Sequence, residues 1–143
     1  MKIDPTRMPI NIGLGLQWHP EPEYIFSLER QPTTENFLGT IHAAAVYALV
    51  DATSGEVLQR GIELDWDRYF AVSRDTVLTI KKPSRQMIKA TGHIDEEDIG
   101  NLAIERIDRR IQKVRIHVQV FNEDDDIAAK AEVTWVLGRL KNT

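Results

Sequence analysis

Residues 41–58, IHAAAVYALVDATSGEVL, constrain the fold more than any other part of the chain. The run has no proline, and its alanines and leucines favour helix. Apolar side chains occupy nearly every side of that helix rather than one stripe. Such a helix expects cover from all directions. Between His42 and Glu56 its one charged side chain is Asp51. A carboxylate in these surroundings must be paired, hydrogen-bonded, solvated in a cleft or protonated. Thr53 and Ser54 are local donors, and an Arg or Lys from elsewhere is a candidate partner. A desolvated carboxylate also suits a general base or nucleophile. Asp51 is therefore the first candidate for chemistry.

The cover must come from strands. Tyr24–Gln31 alternates apolar and polar residues until Pro32 ends it. Val72–Lys82 and Gln86–Asp95 alternate again, and the short KPSR link predicts that these two strands pair as neighbours. Val114, Ile116, Val118 and Val120 face one way, and Ala129, Ala131, Val133, Trp135 and Leu137 follow after the turn NEDDD. That is a hairpin with one dry face, with Trp135 in the core set. Residues 62–70 read as loop, and DEEDIGNLAIERIDRR as a short helix with acids in front and bases behind. The prolines at 5, 9, 20 and 22 make the start a loop with at most a short helix. The expected class is α+β in one domain over residues 1–143: an antiparallel sheet wrapped around one long helix.

Composition closes off several functions. A net charge of −4 lacks the basic surplus of a nucleic-acid binder. No cysteine means no thiol nucleophile and no thiolate metal site. His19, His93 and His117 are scattered, so no metal is expected. NEDDD lacks the glycine and distal Glu of a calcium loop. NIGLGL lacks the third glycine of a nucleotide motif and reads as turn geometry. No serine has a histidine at supporting spacing. Neither a signal peptide nor a membrane-spanning run is visible, so a cytoplasmic protein is expected, away from membranes. Nothing calls for a cofactor.

The helix start is the second candidate for chemistry. If the helix begins at Ala43, its first backbone N–H groups lack intrahelical partners and point along the axis, where they polarise a carbonyl or hold an oxyanion. Asp51 lies nine residues beyond His42. That is roughly 13 Å along the axis, too far for one reacting group to touch both ends. Two antiparallel copies would bring one helix start near the other's Asp51, so a site built here needs two subunits.

The segment N-x-x-G-T-x-H-x-x-x-x-x-x-L-x-D, Asn36 to Asp51, resembles the hotdog-fold thioesterases, especially the phenylacetyl-CoA thioesterase-like group. The strand–helix–strands order and the stretch from Val72 to Leu140 agree with that fold. More narrowly, the chain resembles a DUF4442-like branch, in which N-x-x-G-T-x-H-A introduces the helix and a Lys-Pro element follows the next strand, here Lys82-Pro83. The resemblance implies a homodimer, with pairing into a tetramer left open, that hydrolyses an acyl-CoA or related thioester. Asp51 matches the catalytic carboxylate, His42 the histidine before the helix, and Asn36 the polar residue that polarises the carbonyl. Ala43 and Ala44 fall where the family has a glycine pair beside its oxyanion donor. That departure keeps a second reading alive, a binder of acyl-CoA or another acyl ligand without turnover. A hydratase on the same fold ranks below both. Lys81, Lys82 and Arg85 are candidate contacts for CoA phosphates, against the blander reading of solvated surface. The second basic group, Arg106, Arg109, Arg110 and Lys113, carries the same two readings.

Overall fold

The apolar run becomes one 19-residue helix, Ala43–Gly61, in a computed structural model that describes residues 2–141. A single 3₁₀ turn, Pro5–Arg7, and a short helix, α1 (Pro9–Leu14), precede it, so the long helix is α2. Gly15, at φ 75°, ends α1 and is turn geometry as expected, whereas Gly13 of NIGLGL lies within the helix. His42 caps α2, and the chain leaves the helix through an extended Ile62. Gly55 sits mid-helix for a packing reason: a Cβ there would lie 3.3 Å from the Trp135 ring.

Six strands form one antiparallel sheet: β1 (Gln17–Trp18), β2 (Phe26–Glu29), β3 (Tyr69–Ile80), β4 (Met87–Ile94), β5 (Gln112–Asn122) and β6 (Ile127–Arg139). Their order is β1-β2-β4-β5-β6-β3. Two short helices, α3 (Glu96–Ile99) and α4 (Ile104–Arg109), replace the single one expected between β4 and β5, because the chain breaks at Gly100. The strand read over 24–31 is shorter, and the loop read over 62–70 ends at Tyr69, where β3 begins.

One expectation fails. β3 and β4 are not neighbours: β3 pairs with β6, Tyr69 opposite Arg139, while β4 lies between β2 and β5. The KPSR link crosses over the turn between β5 and β6, where Lys82 meets Asp126 and Arg85 N–H meets Glu123. It is held by Lys81 N–H and Lys82 N–H on Ala128 O, and by Ile41 N–H on Ser84 O. A short link shows that two strand ends are near each other. It does not show that their edges meet.

The dry face packs on α2. Leu49, Val50 and Leu58 are buried against Phe26, Leu28 and Ile88 on one side, and against Ile116, Val133 and Leu137 on the other. Each such side chain contributes about 1.5–3 kcal/mol. Gly92 lets β4 lie close to both neighbours, since a Cβ there would meet His117 O of β5 at 2.6 Å and Val57 of α2 at 3.3 Å.

The helix is not covered all round. Ala44 and Tyr47 are exposed, and Ala48, Asp51 and Gly55 are half-buried. The expectation of burial on every side fails along this stripe, because the sheet wraps only part of the helix. β3 is likewise an outer strand, with Val77 70% exposed.

A charge cluster braces the far end of β5. Arg115 Nε meets Asp98 at 2.9 Å, and its Nη2 meets Asp95 at 3.1 Å. The hydrogen bond from Arg115 holds the Asp98 carboxyl below the usual range, and the His117 contact does the same for Asp95. Depressed values mean stability that is present above about pH 4 and lost as pH falls through the folded-state values. Arg115→Ala is therefore expected to lower the melting temperature at pH 7, and hardly at all well below pH 3. Parallel wild-type and variant profiles across that range would contradict this account.

Candidate active site

Asp51 occupies the third turn of α2, on the half-exposed stripe. Among the described residues its carboxylate makes no hydrogen bond or ion pair. The donors expected nearby do other work. Ser54 Oγ donates to the Asp51 backbone oxygen at 2.8 Å and accepts from Trp135 Nε1 at 2.8 Å. Thr53 is fully buried, and its hydroxyl has no partner among the described residues. No Arg or Lys reaches Asp51. Partial exposure to water is what makes an unpaired carboxylate tolerable here.

The buried carboxylate of α2 is Glu56, which sequence reading missed. It is 1% exposed and meets Lys2 Nζ at 2.7 Å and Arg60 Nε at 3.0 Å. One turn on, Gln59 takes Ile3 N–H on its Oε1 and gives its Nε2–H to Ile3 O, both at 2.8 Å. These contacts strap the N-terminal segment along α2. No local pattern announces the Lys2 and Ile3 contacts, because those partners lie more than fifty positions apart, whereas Arg60 is a local i,i+4 partner.

The helix start is organised as follows. His42 Nδ1 accepts the Ala44 N–H at 2.9 Å. An accepting Nδ1 carries no proton, so the neutral ring presents Nε2–H outward. Of the two alanine N–H groups expected to be open, Ala44's is thus engaged by the cap. Ala43 N–H has no partner among the described residues. Asn36 shapes the loop ahead of it. Its Oδ1 accepts Leu38 N–H and Thr40 N–H, each at 3.0 Å, and its Nδ2 donates to Thr40 Oγ1 at 2.8 Å. One Asn36 N–H remains.

Cavities divide the candidates into two groups. A cavity of about 290 Å³ at the helix start is lined by Asn36, Thr40, Ala43, Lys81 and Lys82. Lys82 is already paired with Asp126 at 3.2 Å, and Arg85, outside this cavity, gives its backbone N–H to Glu123 at 3.0 Å. A wider cavity of about 620 Å³ runs between α1 and α2, lined by Met8, Ile10, His42, Ala44, Tyr47 and Asp51. Within one chain, then, Ala43 and Asp51 border different cavities, although His42 and Ala44 share the wide one with Asp51.

A family model described as a domain of unknown function, DUF4442, matches residues 21–137. The chain belongs to this family. No curated protein matches it. Among solved structures, the DUF4442 chain is similar to a Pseudomonas aeruginosa protein of unknown function called a probable thioesterase. Identity is 19%, the TM-score is 0.76, and the match covers 95% of this chain and 91% of that one. It is also similar to a Haemophilus influenzae thioesterase, at 17% identity and TM-score 0.69, over 96% and 87% of the two chains. A Bacillus halodurans protein solved with CoA matches at 17% identity and TM-score 0.61, over 78% and 69%. The architecture is the hotdog fold.

The remaining titratable groups of the DUF4442 chain lie elsewhere. His93 and His117 stack at 5.2 Å on the outer face of the sheet, and His117 Nε2 meets Asp95 at 2.7 Å. Among the described residues no group of three or more His, Asp or Glu is placed to hold a metal ion. No helix among the described residues is long and apolar enough to cross a membrane.

Proposed function

We propose that this protein hydrolyses an acyl-CoA-type thioester at a site shared by two subunits. The observation that carries the reading is a half-buried Asp51 carboxylate without a partner, on the same helix as an unengaged Ala43 N–H. The exposed stripe of α2 and the long outer strand β3 are surfaces that a second copy of the chain would cover. The names of the structural neighbours, and the CoA held by one of them, support the substrate class.

In this reading the thioester carbonyl rests at the start of α2, where Ala43 N–H and the remaining Asn36 N–H polarise it. Asp51 of the partner subunit takes a proton from water as the hydroxyl adds to the carbonyl. The tetrahedral oxyanion is held by Ala43 N–H. Collapse breaks the C–S bond, and the thiolate receives the proton, giving the free acid and the thiol. Direct attack by Asp51, through an anhydride that water then opens, gives the same products. His42 Nε2–H, on the wall that Asp51 also lines, is a second donor toward the thioester. Lys81 is the cation at the helix-start cavity with no partner among the described residues, and it suits a CoA phosphate better than the paired Lys82.

The test is thiol release by the purified protein from short, long and aromatic acyl-CoAs. Saturable turnover is expected. A second reading has one observation of its own: alanine stands at 43 and 44 where the thioesterase group has glycines, and each adds a Cβ where substrate must approach. Saturable acyl-CoA binding without turnover would establish that reading and remove the first.

A further inference from the structure

We propose that Trp66 is the end wall of the acyl pocket, and that the protein selects short acyl groups of about four carbons; this rests on the thioesterase reading above. Asp51 lines two cavities. Besides the wide one toward the helix start, it borders a narrow one of about 100 Å³, lined by Ala52, Gly55, Leu58, Trp66, Ala71 and Trp135. Met8 and Asn11 line both spaces, so the two meet at Asp51. A thioester carbonyl brought to Asp51 has the wide cavity on one side for the polar thiol arm. Both cavities are mostly apolar, so size divides them: the wide one admits the bulky thiol arm, and the narrow one is left for the acyl group.

The size of that space decides what enters. At ~30 Å³ for each water-sized group, it holds roughly three or four methyl or methylene groups. Its walls are fixed. Trp135 is pinned by Ser54 and lies against Gly55, where even a methyl group would crowd the ring. Trp66 sits in a turn closed by Arg68 N–H and Tyr69 N–H on Asp65 O, both at 2.9 Å, with Asp67 N–H on the Asp65 carboxylate at 3.1 Å. Beyond Trp66 lies a third cavity of about 360 Å³, bordered by Lys2, Gln59, Arg60, Glu63 and Trp66 itself. Trp66 and Gln59 both border the narrow cavity and this one, so the indole stands on the boundary between a space that fits a short chain and one that would admit a longer one. Its removal joins the two.

The experiment measures kcat/KM for two-, four-, eight- and twelve-carbon acyl-CoAs with wild type, Trp66→Ala, Trp66→Phe and Gly55→Ala. Wild type is expected to favour the four-carbon substrate over the eight-carbon one by at least about tenfold, the scale on which apolar pockets discriminate methylenes. Trp66→Ala is expected to bring the eight-carbon substrate within about threefold of the four-carbon one, with Trp66→Phe between. Gly55→Ala, which narrows the same space, is expected to lower the four-carbon rate relative to the two-carbon rate. Wild-type turnover of long chains as good as of short ones overturns the proposal. So does an unchanged chain-length profile in the folded Trp66 variants, and in both cases the thioesterase reading stands. If Trp66→Ala does not fold, Trp66→Phe and Gly55→Ala carry the decision. If wild type hydrolyses nothing, the thioesterase reading fails, and the same chain-length order is read from binding by intrinsic tryptophan fluorescence. A preference for the four-carbon ligand that Trp66→Ala erases upholds the end wall, and indifference to chain length overturns it.

Discussion

Asp51→Asn is expected to lower kcat for thioester hydrolysis by about 10²–10⁴-fold, the range that a positioned base contributes. The substitution keeps shape and volume and removes only the charge and basicity. Asp51 has no ion pair or side-chain hydrogen bond to lose, so folding stability should change by no more than about 0.5 kcal/mol. KM should change little, because the carboxylate acts on water or on the carbonyl carbon rather than on the bulk of the substrate. Turnover and chemical denaturation measured on the same preparation separate the two effects. An active variant would move the chemistry away from Asp51. An unfolded one would show that the carboxylate has a structural partner.

Ala43→Pro is expected to lower kcat by about 10²–10³-fold, the cost of losing one oxyanion donor. Proline deletes the N–H, and here it can do so without breaking the helix. Ala43 is the first helical residue, where proline is well tolerated. The preceding residue must be extended, and His42 already is, at φ −64° and ψ 143°. Helix content by circular dichroism should therefore match wild type while turnover falls. A proline variant with full activity would place the oxyanion donor elsewhere, with Asn36 the next group to replace.

Much of this was legible in the sequence because it is local. The α2 segment and the β5–β6 hairpin declare themselves by periodicity, and the stretch from Asn36 to Asp51 places five candidate site residues in one run. What is not local was missed. The KPSR link predicts a β3–β4 pair, yet both strands take partners from later in the chain, because the hairpin fills the middle of the sheet. The α2 segment looks apolar on every side, but only the packed structure shows which stripe the sheet leaves open. Glu56 reads as the polar end of that segment and is in fact buried, held by Lys2 from the start of the chain. Trp66 reads as core or pocket lining within a loop, but its position beside Asp51 depends on α1, α2 and β6 converging there.

The strand order also sets a timetable. β3 is made early, but its one neighbour in the sheet is β6, the last strand. On a ribosome, roughly 60 more residues must emerge after Ile80 before that partner is complete, about 3–12 s of synthesis. For that interval Val72, Val77 and Leu78 belong to an unpaired strand with apolar side chains, the kind of edge that recruits other nascent chains. The half-made protein is thus more adhesive than the finished one. A ribosome that stalls before Ile127 would release a chain whose sheet lacks the strand that joins β5 to β3.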